Sequence, residues 1–200
     1  MGEHDLTSYG SAAVFLDRDG VLNQPVVRER LPYPPARPQD FVIYNDAASG
    51  CARLKAAGFL LVVASNQPDV GRGSAERAVI EQMHRQLRAA IPALDDIETC
   101  YHAGEKFGQV CQCRKPKPGM LLRSAELMRI DLARSFLIGD RWRDVDCARA
   151  AGCKSIFIDR GYAESLRKQP DVTVTTFGEA VQAVLQIAKR DSLLHPATPV

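Results

Sequence analysis

Short apolar runs alternate along the chain with longer segments in which apolar residues recur every three or four positions. The short runs predict buried strands at 12–17, 59–65, 97–102, 135–140 and 154–159, with a sixth strand at 172–176. The longer segments predict helices at 46–58, 74–91, 118–130, 142–152 and 178–189. This alternation is typical of an α/β fold, a three-layer Rossmann-like parallel sheet with helices on both faces.

Length and composition predict one globular domain. The chain has 200 residues, of which 46% are hydrophobic and 25% charged, and its net charge is +2. We expect a single domain over residues 12–190, a disordered segment at 1–11 and a frayed tail at 191–200. No apolar run is long enough for a membrane helix, and residues 1–11 lack the apolar region of a secretion signal. These features predict a cytoplasmic monomer that does not bind membranes.

Polar side chains follow three of the predicted strands at their carboxyl ends. Asp17 and Asp19 follow the first strand, Ser65 and Asn66 the second, and Asp140 the fourth. In parallel sheets, ligands bind beyond the carboxyl ends of the strands, where the strand order reverses. We therefore expect these five side chains to lie close together.

The spacing of Asp17 and Asp19 indicates a particular chemistry. Two carboxylates two positions apart on an extended chain point the same way and repel each other. A divalent cation relieves that repulsion, and Asp140 supplies a third oxygen ligand of the kind that Mg²⁺ prefers. Alternatively, Asp19 and Gly20 only form the turn that ends the strand. The basic "CRKPKPG" segment and "GDRWRD" favour a phosphoryl-transfer site.

Four segments, "FLDRDGVL", "VVASNQ", "RKPKPG" and "LIGDRWRDVDCARAAG", resemble the ordered motifs of the haloacid dehalogenase-like (HAD-like) phosphatases. The resemblance implies that Asp17 is the nucleophile, which forms an aspartyl phosphate, and that Asp19 is the general acid and base. It implies that Mg²⁺ is held by Asp17, Asp140 and the backbone carbonyl of Asp19. The phosphoryl oxygens would be bound by Ser65, Asn66 and Lys115.

Family members often carry a cap domain, but neither gap between the motifs leaves room for one here. Substrate choice should then depend on two loops, 22–44, which is rich in proline and read as irregular, and 102–114. Asp144 is either a second carboxylate near the metal or an ordinary residue of the first helical turn. The arginines of the first loop could meet an anionic group or simply be solvated.

The second loop contains a candidate metal centre. Cys100, His102, Cys111 and Cys113 supply three thiolates and one imidazole within fourteen residues. This is a closed tetrahedral set for structural Zn²⁺, with no position left open for catalysis. The alternative is a group of unliganded thiols in the reducing cytosol.

A zinc loop that leads directly into "CRKPKPGM" resembles the capless branch of the family, which contains heptose bisphosphate and histidinol-phosphate phosphatases. The resemblance implies a small phosphorylated sugar as substrate, foremost a heptose 1,7-bisphosphate that loses its 7-phosphate, with histidinol phosphate as the alternative. Arg114 is then a candidate for contacting a second phosphate or sugar hydroxyls. Nucleic-acid end processing is disfavoured by the 6% aromatic content and near-neutral charge. A non-catalytic zinc domain is disfavoured because every reactive residue is present.

Overall fold

The computed structural model describes residues 10–191, and these form an α/β fold of three layers. The strands are β1 (Ala13–Leu16), β2 (Val26–Arg28), β3 (Leu31–Tyr33), β4 (Leu60–Asn66), β5 (Asp96–Cys100), β6 (Phe136–Gly139), β7 (Lys154–Ile158) and β8 (Val172–Val174). The helices are α1 (Ala47–Ala56), α2 (Pro68–Gly71), α3 (Arg77–Ala90), α4 (Gly119–Met128), α5 (Trp142–Ala151) and α6 (Phe177–Arg190). Three short 3₁₀ turns lie at Pro38–Asp40, Glu105–Phe107 and Leu132–Arg134. The predicted fold class is confirmed.

Six strands form one parallel sheet in the order β5-β4-β1-β6-β7-β8. The chain runs outward from β1 through β4 to β5, and then returns to the other side of β1 as β6. The order therefore reverses at β1, where Phe15 pairs with Val62 on one side and with Leu137 on the other. A ligand crevice is expected beyond the carboxyl ends of β1 and β6.

Alternate residues of the central strands pack on opposite faces of the sheet. Val14 and Leu16 face the core beneath α1, α3 and α6. Ala13 and Phe15 face the smaller core beneath α4 and α5. Because both faces are covered, the strands are apolar throughout, which explains why they read as continuous apolar runs.

The loop predicted as irregular at 22–44 contains an antiparallel hairpin, β2–β3. Its two-residue turn, Glu29-Arg30, has φ values of 49° and 60°. Such turns favour Asn and Gly, so the sequence carries no recognisable turn signal here. Two contacts hold the turn in place. Ala163 N donates to the carbonyl of Arg30 at 2.9 Å, and the Arg30 guanidinium donates to the carbonyl of Gly161 at 3.1 Å.

Several element boundaries differ from those predicted. The helix expected at 74–91 begins at Arg77, because the amide of Ser74 is bonded to the carbonyl of Asp69. Asp46 precedes α1, but its carboxylate accepts from Gly178 N in α6. Of the predicted disordered segments, residues 1–9 and 192–200 lie outside the described part of the chain, while Ser11 bridges to Ile130. No helix within residues 10–191 is long and apolar enough to cross a membrane.

Candidate active site and zinc cluster

The turn after β1 presents Asp17 and Asp19 at the carboxyl end of the sheet. The amide of Asp17 still bonds to Ile138 O of β6 at 2.9 Å. The chain then forms a turn in which the amides of residues 21–23 donate to the carbonyl of Arg18. Gly20 lies in this turn with φ +89°, and a Cβ there would lie 1.7 Å from an oxygen of Asp140. Only glycine fits, since both the backbone conformation and the close approach exclude a side chain.

Three buried carboxylates meet at this point. Asp17, Asp140 and Asp144 each place an oxygen within 4.8 Å of the others. Lys115 Nζ lies 3.0 Å from Asp17 and 2.6 Å from Asp144, and its side chain is fully buried. Lys115 thus supplies one buried positive charge to a cluster of three buried carboxylates, two of which it contacts.

The electrostatics of the cluster favour a second cation. Burial raises the pKa of Asp17 to about 6, with Asp144 and Asp19 adding to the rise and Lys115 opposing it. Burial and the neighbouring Asp17 and Asp144 raise the pKa of Asp140 well above its usual range. No hydrogen bond of good geometry reaches the buried oxygens of Asp140, although the nearby Tyr162 hydroxyl works against the rise in its pKa. Buried carboxylate oxygens beside further carboxylates, with so few donors, fit a hard divalent cation such as Mg²⁺.

The carboxylate of Asp19 lies outside this cluster and is bonded elsewhere. It accepts from Arg18, from Asn23 Nδ2 at 2.9 Å and from Gln67 Nε2 at 2.9 Å. Burial opposes ionisation, but Arg18 and the donated hydrogen bonds lower the pKa of Asp19 below its usual range. The carboxylate of Asp19 is thus not one of the carboxylates that converge with Asp17.

Two side chains at the end of β4, Asn66 and Ser65, form hydrogen bonds that hold parts of the site in place. Asn66 Nδ2 donates to the carbonyl of Lys115 at 3.0 Å, and Lys115 N donates back to Asn66 Oδ1 at 3.0 Å. This reciprocal pair fixes the backbone of Lys115 against β4. Ser65 is buried, and its hydroxyl accepts from Gln67 Nε2 at 2.8 Å.

Asp144 is both a first-turn residue of α5 and a member of the buried carboxylate cluster. It is the third residue of α5, and its carboxylate accepts from the backbone N–H of Arg141 at 3.1 Å, which stabilises the start of the helix. The same carboxylate is buried and pairs with Lys115. Arg141 in turn forms an ion pair with Glu164 and donates to the carbonyl of Pro32 at 3.4 Å, so it connects α5 to the hairpin.

The four predicted zinc ligands converge. Cys100 Sγ lies 3.2 Å from Cys113 Sγ and 3.8 Å from Cys111 Sγ. His102 Nδ1 lies 3.5 Å from Cys100 Sγ and 3.2 Å from Cys113 Sγ. Tetrahedral Zn²⁺ with usual bond lengths would place its sulfurs about 3.8 Å apart and its nitrogen about 3.6 Å from each sulfur. The cluster is therefore close to the size that this ion requires.

Two adjoining cavities, of about 310 and 490 Å³, lie next to the carboxylates and Lys115. Asp17, Asp19 and Asn66 line the smaller cavity, and Lys115 lines the larger. Three arginines line both: Arg72, Arg114 and Arg143. Burial, together with the charges of Arg143 and Arg72, lowers the pKa of Arg114. Positive charge is thus concentrated next to the reactive carboxylates, where it would attract an anion.

The structure brings together Asp17, Asp19, Asn66, Lys115 and Asp140, with Arg114 at the cavity wall. Ser65 lies one layer deeper, against Gln67. Four residues that contact the site were not identified from the sequence: Arg18, Gln67, Arg72 and Arg143. For Gln67 a signal existed, since it ends the "VVASNQ" motif, while Arg72 lies five residues further along the chain.

Residues 112–180 match the family described as HAD-hydrolase-like. The chain is 36% identical over 149 residues to the D-glycero-β-D-manno-heptose-1,7-bisphosphate 7-phosphatase of Escherichia coli K12, covering 70% of this chain and 74% of that protein. It is 32% identical to the Vibrio cholerae protein of the same name, over 90% of this chain and 92% of that one. A crystal structure of D,D-heptose 1,7-bisphosphate phosphatase from B. bronchiseptica, complexed with magnesium and phosphate, superposes with a TM-score of 0.75 at 28% identity. That match covers 88% of this chain and 99% of the other.

Proposed function

Because the chain belongs to the HAD-like phosphatase family, we propose that this phosphatase removes the 7-phosphate of D-glycero-D-manno-heptose 1,7-bisphosphate. The observation that carries the proposal is that Asp17, which pairs with Lys115, and Asp19 line one cavity together with three arginines. Asp17, Asp19 and Lys115 suit the transfer of a phosphoryl group. The arginines suit a substrate with a second anionic group.

In the first step, a carboxylate oxygen of Asp17 attacks phosphorus and the bond from phosphorus to the sugar oxygen breaks. The lowered pKa of Asp19 leaves it ionised at neutral pH, so Asp19 first takes the proton of the monoanionic phosphate ester and then transfers it to the departing sugar oxygen. In the second step, Asp19 takes a proton from a water molecule that attacks phosphorus. The bond between phosphorus and Asp17 then breaks, inorganic phosphate leaves, and Asp19 releases its proton to solvent, so both carboxyl groups return to their starting states.

Negative charge on the phosphoryl oxygens needs fixed positive charge and hydrogen-bond donors. Lys115 supplies the charge: Asp144 and Asp17 raise its pKa despite burial, so it stays protonated. Ser65 and Asn66 complete the set in this proposal. Asn66 acts both through its remaining N–H and by fixing the position of Lys115.

Asp17, Asp140 and the carbonyl of Asp19 would hold Mg²⁺, with Asp144 close by. When bound, the ion offsets the repulsion between the attacking carboxylate and the phosphate. The convergence of Asp140 with two further buried carboxylates, and its lack of a hydrogen bond of good geometry, support this assignment.

Zn²⁺ is proposed for Cys100, His102, Cys111 and Cys113, where it has a structural role. The cluster closes the loop that carries Arg114, the candidate contact for the non-reacting phosphate. The guanidinium of Arg114 donates to the carbonyl of His102 at 3.4 Å, so a zinc ligand and a substrate contact are linked. A cytoplasmic location and a monomeric state remain predictions from the sequence.

The proposal is tested by phosphate release with Mg²⁺ from both anomers of heptose 1,7-bisphosphate, from histidinol phosphate and from a 5′-phosphorylated oligonucleotide. Asp17→Asn serves as the inactive control. One heptose anomer should be preferred by at least about a hundredfold in kcat/KM, which corresponds to ~2.7 kcal/mol. A preference for histidinol phosphate or the oligonucleotide would refute the substrate assignment. Activity that persists in Asp17→Asn would refute the mechanism.

A further inference from the structure

A buried arginine lies directly behind the proposed general acid. Arg18 is 0% exposed, although it stands between Asp17 and Asp19 in the sequence. Its Nη2 lies 3.0 and 2.9 Å from the two oxygens of Asp19, and its Nε lies 3.2 Å from Oδ2. Such a two-point contact fixes the plane of the carboxylate as well as its position.

The other side of this guanidinium rests on the helix α3. Arg18 Nη1 lies 3.3 Å from His84 Nε2, and its plane stacks on the ring of Phe41 at 5.4 Å. Arginine carries only donors, so His84 Nε2 must accept and the ring proton must lie on Nδ1. Burial and the charge of Arg18 lower the pKa of His84 to about 4, which keeps the ring neutral and able to accept.

The chain of contacts continues from His84 toward the surface. His84 Nδ1 faces Glu81 Oε2 at 3.6 Å, and Glu81 accepts from the Tyr101 hydroxyl at 2.6 Å. The orientation of Arg18 is thus set by Phe41, by His84 and Glu81 on α3, and by Tyr101 just after β5. None of them lines the cavity that contains Asp17 and Asp19.

We infer that Arg18 and His84 are positioning residues that hold the carboxylate of Asp19 in the orientation required for proton transfer to the leaving oxygen. The inference rests on the proposed function, because it requires Asp19 to be the acid. Without the His84 acceptor, Arg18 has an unpaired buried donor and loses the contact that fixes its far end. Asp19 would then depend on one hydrogen bond each from Asn23 and Gln67.

The dependence of rate on the leaving group separates positioning from general structural damage. An alkoxide leaves slowly without a proton, whereas p-nitrophenolate leaves readily without one. We would therefore measure kcat for p-nitrophenyl phosphate, phenyl phosphate and an alkyl phosphate. The enzymes are wild type, His84→Leu, His84→Gln and Asp19→Asn, all with Mg²⁺.

Asp19→Asn gives the reference for complete loss of the acid, with a fall of about 10²–10⁴ on the alkyl ester and a smaller one on p-nitrophenyl phosphate. His84→Leu should lower kcat on the alkyl ester about tenfold while changing the p-nitrophenyl rate less than about twofold, with KM unaltered. His84→Gln restores an acceptor for Arg18 and should recover most of the loss. If His84→Leu does not fold, Arg18→Lys, which keeps the charge but loses the two-point contact, should give the same selective loss.

Equal losses of His84→Leu on all three esters, or no loss on the alkyl ester, would overturn the inference while leaving Asp19 as the acid. If Asp19→Asn itself shows no dependence on the leaving group, Asp19 is not the acid and the inference falls with it. Because these esters need not be the natural substrate, neither result depends on the heptose assignment.

Discussion

The Lys115→Met variant tests how much the positive charge of Lys115 contributes to the stability of the folded protein. Methionine keeps the approximate length of the side chain but removes the cation that lies 3.0 Å from Asp17 and 2.6 Å from Asp144. Removing one partner of a buried pair typically costs about 3–5 kcal/mol, since the other charge stays buried without compensation. For a domain of this size, that loss corresponds to a fall of about 6–20 °C in Tm.

The assay is thermal unfolding in EDTA and again in excess Mg²⁺, followed by circular dichroism. The loss should be smaller with Mg²⁺, because the ion compensates the same carboxylates. Lys117→Met is the matched control: Lys117 pairs with Glu105 at the surface, where solvent screens the pair, so its loss should lower Tm far less. Adding Asp144→Asn to Lys115→Met should recover part of the stability.

Two results would refute this reasoning. One is a loss in Lys115→Met no larger than that in Lys117→Met. The other is strict additivity of Lys115→Met and Asp144→Asn, which would mean that these two side chains do not interact.

Three further predictions follow from the site. Because the folded pKa of Asp17, about 6, exceeds its ordinary value, the metal-free protein should lose about 1–3 kcal/mol of unfolding free energy from this group as the pH rises from about 4 to above 6. Urea unfolding in EDTA should show this slope in wild type and a shallower one in Asp17→Asn; identical slopes would contradict it. Cys113→Ser should lower the zinc content, measured by elemental analysis, from about one equivalent per chain to below half. Its kcat should also fall, because the loop carries Arg114. Unchanged zinc content would exclude the cluster as the zinc site. Arg143→Ala should lower kcat/KM about tenfold for a bisphosphate, ~1.4 kcal/mol, but leave a monophosphate of the same sugar nearly unaffected; equal losses would remove Arg143 from recognition of the second phosphate.

The sheet and the reactive carboxylates could be predicted because their signals are local. Asp17 and Asp140 each end an apolar run, and parallel topology places such ends at one edge. Lys115 is distant in the sequence, and only its basic, proline-rich surroundings and the resemblance connected it to Asp17. The convergence of the four candidate zinc ligands could be predicted because all four lie within one short loop.

What escaped prediction depends on contacts between distant segments. Arg18 reads as a solvated charge between two acids, but His84 provides a buried acceptor from α3 that no local pattern reveals. The hairpin was read as an irregular loop because its turn residues, Glu29 and Arg30, are stabilised by tertiary contacts of Arg30 and not by turn propensity. Asp46 precedes α1, and its carboxylate accepts from Gly178 N of α6, a contact that local sequence does not specify.

The reciprocal pair between Asn66 and the backbone of Lys115 makes the enzyme sensitive to chemical ageing. The amide of Asn66 both donates to and accepts from the same peptide unit. Deamidation, a slow spontaneous reaction of asparagine, would replace the donating NH₂ by a carboxylate oxygen that faces the carbonyl of Lys115. Two acceptors would then repel each other and displace the one cation that the buried carboxylates share. The working lifetime of the protein would therefore depend on one amide, whose loss would disturb both the phosphoryl-binding set and the position of Lys115.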